Sequence, residues 1–203
     1  MNPCKAANPC AAKNPCAAAG NPCNPCNPCA AGKKKMKQVG RDEAKALYEK
    51  LAATLPAQYR GGEHWATARD WTKWTNFATA PYLADSHGNR YVVNLANKIA
   101  ARVYGQYDKL KAMPPGGTIL KPSFTVGADG KARPGPLFIM EKMTKGWNPA
   151  TGDWRYAMIL PGGKTFGVTK GPNSAGMAFC QECHAGAKDN DMLFFLDEEV
   201  RRK

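Results

Sequence analysis

Residues 153–160 read Asp-Trp-Arg-Tyr-Ala-Met-Ile-Leu, with Trp154, Tyr156, Met158 and Leu160 at every second place. That two-residue period sets four large groups on one side of an extended chain, the pattern of a strand covering a core. Working outward, residues 118–126, 136–143 and 164–168 have the same extended character. They are joined by turn formers at Ala128-Asp129-Gly130, residues 148–152 and Pro161-Gly162-Gly163, so antiparallel hairpins are expected. Upstream the period changes. Ala44, Leu47, Tyr48, Leu51 and Leu55 recur at three and four, predicting a helix over 42–55 ended by Pro56. Leu95, Ile99, Val103, Tyr107 and Leu110 predict a second, stopped by Pro114-Pro115-Gly116-Gly117. Between them, Trp71, Trp74 and Phe77 are spaced to share one helical face as core, and a turn over 86–89 leads into a short strand over 91–93. The class is α+β, an antiparallel sheet packed with helices.

The 203 residues, 43% hydrophobic and 22% charged, suit one globular domain with a tail. No apolar run approaches the roughly 20 residues of a spanning helix, so an integral membrane protein is not expected. Lys and Arg number 29 against 16 acids, a net charge of +13, which favours acidic partners such as an acidic redox protein. The densest basic run, Lys33 to Lys37, lies in low-complexity sequence without the interleaved aromatics of a nucleic-acid module, and nucleic acid is not expected as a partner.

Six of the eight cysteines (Cys4, Cys10, Cys16, Cys23, Cys26, Cys29) each end an Asn-Pro-Cys triplet within residues 1–40. Apart from Lys5 and Lys13, nothing larger than alanine separates the triplets and no large apolar group is available to pack, so this segment is expected to be a disordered tail and residues 41–203 the folded domain. In polyproline II geometry, cysteines three apart sit roughly 9 Å apart. A disulfide needs Cα atoms within about 7 Å, so neighbours bond only through a turn. Cys23, Cys26 and Cys29 resemble the start of a ferredoxin run but lack its fourth cysteine; soft-metal capture or cross-linking stays open.

The remaining cysteines form Cys180-Gln181-Glu182-Cys183-His184, the C-x-x-C-H pattern of c-type haem attachment. Two thiols three apart can add to the two vinyl groups of one porphyrin, and the next imidazole reaches the iron as proximal ligand. The alternatives are a redox dithiol or half a zinc site. Haem also needs large apolar walls, for which Met177, Phe179, Trp154, Tyr156, Phe194 and Phe195 are at hand. An electron carrier would close the sixth iron position with methionine. Met192 is the only methionine after the motif, in a run that reads as core. His64 and His87 are expected to be exposed or locally satisfied.

Four stretches in order, Gly88-Asn89-Arg90-Tyr91-Val92-Val93-Asn94, Gly117-Thr118-Ile119-Leu120-Lys121, Gly146-Trp147-Asn148-Pro149-Ala150-Thr151-Gly152-Asp153-Trp154 and Cys180 to His184, resemble the cytochrome P-460 family over roughly residues 88–196. The third and fourth stretches are the specific part. The resemblance implies helices on an antiparallel sheet, a homodimer, and one covalent haem c with an open, five-coordinate distal face. Within the family, cytochrome P-460 proper bonds a lysine to the porphyrin and oxidises hydroxylamine. Cytochrome c′-beta lacks that bond and binds nitric oxide or carbon monoxide in an apolar aromatic pocket. By this resemblance Lys121 is the candidate for the haem-bonded lysine and Arg90 would orient a ligand. Glu141 would accept a proton, and Phe124 and Phe138 would wall the distal side. The cysteine repeat and the Trp-rich residues 61–81 have no counterpart there.

The expected function is an exported mono-haem c-type cytochrome, with Cys180 and Cys183 as thioether anchors and His184 on the iron. It would bind or oxidise small nitrogen compounds or diatomic gases. A six-coordinate electron carrier and a non-catalytic gas binder are the alternatives. A periplasmic or otherwise exported location is expected because haem c is attached outside the bacterial cytoplasm and six further cysteines suit an oxidising space. The chain itself shows no secretory signal.

Overall fold

The structure, a computed structural model, describes residues 36–61 and 70–203. The Asn-Pro-Cys repeat, His64 and Trp65 lie outside the described residues. The rest is an α+β fold built on one eight-stranded antiparallel sheet. Its strands are β1 (Thr75–Asn76), β2 (Tyr82–Ala84), β3 (Arg90–Val92), β4 (Leu95–Ala96), β5 (Thr118–Val126), β6 (Ala132–Lys142), β7 (Trp154–Ile159) and β8 (Thr165–Val168). The order is β1-β4-β5-β6-β7-β8, with β3 also pairing β5, and β2 pairing β3. The β5–β6, β6–β7 and β7–β8 hairpins stand where the turn formers predict them.

Both faces of the sheet are covered. Leu120, Leu137, Ile139, Ala157 and Ile159 face one core with Leu55, Tyr59 and Trp71. Ile119, Met140, Trp154, Tyr156 and Met158 face a second with Phe77, Tyr104 and Met177. The alternation in 153–160 thus marks one core, while Ala157 and Ile159 between those residues serve the other. Ile119, Met140 and Tyr156 are register partners across three strands, and so are Lys121, Phe138 and Met158. On β5, Pro122 and Phe124 are two residues apart, whereas their partners Leu137 and Pro134 on β6 are three apart. The extra residue falls in the Pro134-Gly135-Pro136 stretch, where proline cannot maintain the ladder.

The helical expectations hold less well. The first helix, α1 (Arg41–Ala52), stops before Leu55, and Pro56 opens a separate turn, α2 (Leu55–Gln58). Proline fits the first turn of a helix, where its missing N–H has no partner to lose. The second predicted helix contracts to α3 (Ala101–Tyr104). Leu95 and Ala96 are taken into the sheet opposite Leu120 and Ile119. Asn97 then anchors the chain, accepting from Ala100 N at 2.9 Å and donating to Gly116 O at 2.8 Å, and Tyr107 turns left-handed at φ 49°. Trp71, Trp74 and Phe77 do not share a helical face. The chain makes a single 3₁₀ turn at Trp71–Lys73 and enters β1, which sends Trp71 and Phe77 to different cores. Among the described residues, no helix is long and apolar enough to cross a membrane.

Candidate functional site

The helix α4 (Ala178–His184) carries the C-x-x-C-H motif. A 3₁₀ turn, Ser174–Met177, leads into it, and Met177, fully buried in the second core, pins its start to the sheet. The close approach requires glycine at 167, where a Cβ would come within 2.8 Å of Met177 Cγ and 2.9 Å of Asn173 O. Cys180 is half-buried and Cys183 exposed; both are thiols rather than disulfide halves. One helical turn separates them, so they present along one side of α4.

His184 is 8% exposed. Its Nδ1 lies 2.6 Å from Met192 O, and its ring is 5.3 Å from that of Tyr156 and 5.5 Å from that of Phe194. Burial pushes its pKa down to about 4, against a pull upward from the Met192 carbonyl and a further push down from Lys121. The ring is therefore neutral near pH 7. Because a carbonyl only accepts, Nδ1 carries the proton and donates it to Met192 O, leaving the Nε2 lone pair for a metal. The hydroxyl of Tyr156, whose ring packs on this imidazole, is buried and has no hydrogen-bond partner among the described residues, an unsatisfied group of the kind that calls for an explanation.

Lys121 stands on the same sheet face, two residues beyond Ile119, and is 9% exposed. Burial lowers its amine to about 8, with Cys183 pulling the other way. His87 joins it. At the tip of the β2–β3 hairpin its ring meets Phe138 edge-on, with centroids 4.8 Å apart. Burial, then Lys121, then His184 hold its pKa well below the ordinary range. Lys121, His87, Cys183 and His184 thus sense one another's charge, although 97 residues of sequence span them.

Of the apolar walls expected, Tyr156, Trp154, Met177, Phe138, Phe179 and Phe195 all belong to this core, and Phe194 touches His184 although 46% exposed. Phe124 does not. It lies three residues from Lys121, so strand alternation turns it to the opposite face, where it stacks on Tyr91 at 5.2 Å beneath α1. Glu141 is also turned away. It is offset by one residue from Met140 and forms an ion pair with Arg155. Arg90 is buried on the Lys121 side, since its neighbour Tyr91 pairs with Phe124, but its stem lies along Gly135, farther down the sheet. Met192 is core, as read. Its carbonyl serves His184 and its side chain packs on Gly152, so it stands on the proximal side.

His87 is locally satisfied as expected, its Nδ1 lying 3.2 Å from Ser86 Oγ, but its place at this face is what sequence reading missed. A Ser-His-Gly-Asn turn signals a hairpin tip, but only the pairing of Tyr82–Ala84 with Arg90–Val92 folds that tip over Phe138.

This donor set has the chemistry a c-type haem requires: two thiols on one helical side, an imidazole with one nitrogen fixed and the other available, and aromatic and methionine walls. The zinc alternative needs a larger set, and among the described residues no group of three His, Cys, Asp or Glu gathers to hold an ion. A comparison with curated proteins gives no match. The family model described as Cytochrome P460 matches residues 68–195, which span β1 through α4 and all four quoted motifs, and the chain therefore belongs to the cytochrome P460 family of haem proteins.

Proposed function

We propose that this is an exported mono-haem c cytochrome with an open distal site that binds and oxidises small nitrogen compounds such as hydroxylamine. The observation that carries the reading is the meeting on one sheet face of the attachment motif, a proximal imidazole with Nδ1 already engaged, a buried amine and a half-buried second imidazole. Cys180 and Cys183 would hold the porphyrin by thioethers and His184 Nε2 would bind the iron. Once bound, haem supplies a centre that can ligate a small nitrogen compound and take up its electrons.

The chain's own residues supply the rest. Oxidising an N–H or O–H compound releases protons, and the His87 imidazole, held neutral by its surroundings, is the side chain at this face with a lone pair to take one up. Phe138 is the register partner of Lys121 on β6, with Met158 one strand beyond it, so the amine stands at the edge of an apolar row. With its carbonyl on His184 Nδ1, Met192 stands beside the proximal imidazole and is not placed to be the methionine that closes the sixth position. The +13 charge suits docking of an acidic redox partner, and family likeness suggests a homodimer.

Hydroxylamine turnover by the holoprotein tests the reading, together with peptide mapping around Lys121. The expected result is Lys121 recovered on the haem peptide, with Lys121→Ala abolishing turnover and retaining nitric oxide binding. A haem peptide free of Lys121, an ordinary c-type spectrum and no turnover would leave a gas binder of the cytochrome c′-beta kind and remove the enzyme reading.

A further inference from the structure

After α4 the chain makes a 3₁₀ run, Ala185–Asn190, and reverses through Asp191 and Met192. Both have left-handed backbone, φ 52° and 63°, a conformation that costs non-glycine residues on the order of 1 kcal/mol each. Two such residues in succession need something to hold them. The Asp191 carboxylate is ion-paired with Lys142 from the end of β6, both side chains being 12% exposed. Its other oxygen accepts from Met113 N at 2.7 Å. Lys142 Nζ also donates to Gly152 O at 2.8 Å and sits 5.2 Å over the Trp154 ring. Trp154 Nε1 donates to Asp191 O at 2.7 Å, and Met192 N to Ala187 O at 2.9 Å.

A nearly buried ion pair is a weak source of stability, since desolvation offsets most of the attraction. Here it does something apolar packing could not: it fixes a strained reversal from three separate segments. The residue so fixed is Met192, whose carbonyl receives the His184 Nδ1 proton at 2.6 Å. The pattern is that of an outer partner orienting a metal-binding histidine and raising its basicity.

We propose that Asp191 and Lys142 are positioning residues for the proximal bond, clamping the Met192 carbonyl on His184 so that the imidazole keeps one tautomer and one orientation and donates more strongly to the iron. The inference rests on haem being bound through His184. Stronger donation favours ferric over ferrous iron, so loss of the clamp raises the reduction potential and weakens the iron–histidine bond.

The test uses the holoprotein with Asp191→Asn and Lys142→Met, measuring the midpoint potential and the ferrous iron–histidine stretching band. Both variants are expected to keep covalent haem, raise the potential and lower the band frequency, and Lys142→Arg should return both readouts part of the way. Lower thermal stability with unmoved potential and band would make the pair merely structural and overturn the proposal. In the unmutated holoprotein the His184 Nδ1 proton should exchange slowly with solvent by NMR. Rapid exchange there would overturn it even if neither variant folds. Absence of covalent haem or of any iron–histidine band in the unmutated protein would instead refute the haem reading.

Discussion

At the scale of single residues, the two imidazoles on the sheet face have different work. His184 donates from Nδ1 to a carbonyl, which leaves Nε2 for the iron of the proposed haem, whereas His87 leans on Phe138 across the site. His184→Ala is expected to abolish the normal haem spectrum. His87→Ala should preserve it and weaken nitrogen-ligand binding by roughly tenfold, the loss of about one hydrogen bond. Equal spectral loss in both variants, read by optical titration, would mean that both histidines bind the iron. Lys121 makes a pH prediction. It is held near 8 against an ordinary 10.5, so between those values the unfolded chain carries more protons than the native one and stability rises with pH. Below about pH 8 both states are protonated, and the penalty of burying the charge stands in full, on the order of 3 kcal/mol. Where mapping finds the amine unattached, Lys121→Met should be more stable than the unmutated protein at pH 7, with the gap closing between pH 8 and 10.5. Urea unfolding that shows a constant gap would contradict this.

At the scale of elements, the hairpin strands β5 to β8 and the helix α1 were legible, whereas the second helix and the short strands β1, β2 and β4 were not, for a physical reason. A strand such as Trp154–Ile159 is defined by its own alternation and by turn formers at both ends, and its partners β6 and β8 lie next to it in sequence. The predicted helix from Leu95 had the right period, yet Leu95–Ala96 are taken between β1 and β5 as a strand, so the helix forms only over Ala101–Tyr104. The turn Pro161-Gly162-Gly163 was legible as a hairpin, but not its second duty. Gly162 N donates to Gln58 O at 2.8 Å, and a Cβ on Gly163, at φ 84°, would stand 1.9 Å from Arg60 O. Gly163→Ala should therefore cost about 2–4 kcal/mol through combined backbone strain and clash. Gly130→Ala, with nothing near its Cβ and φ 72°, should cost only about 1 kcal/mol. Equal melting temperatures for the two variants would count against the docking of α2 on this hairpin.

At the scale of the whole molecule, a sheet covered on both faces separates scaffold from chemistry. One face packs α1, α2 and Trp71; the other collects α4, Lys121, His87 and the aromatic and methionine side chains around them. The site was legible only where its residues adjoin in sequence, as in Cys180 to His184. Glu141 and Phe124 were misplaced because a one-residue offset changes the face of a strand. His87 and the Asp191–Lys142 pair depend on contacts between distant segments that no local pattern records. The central claim is that Cys180 and Cys183 hold one haem covalently beneath this face, with His184 as its ligand. The most direct test is the intact mass of protein matured in a haem-attaching host, denatured and extracted with acid acetone. The mass should equal the chain plus one haem, and the Cys180→Ala, Cys183→Ala double variant, made in a Lys121→Ala background so that no lysine bond remains, should release the porphyrin. An unmutated chain that emerges from extraction free of haem would contradict the account.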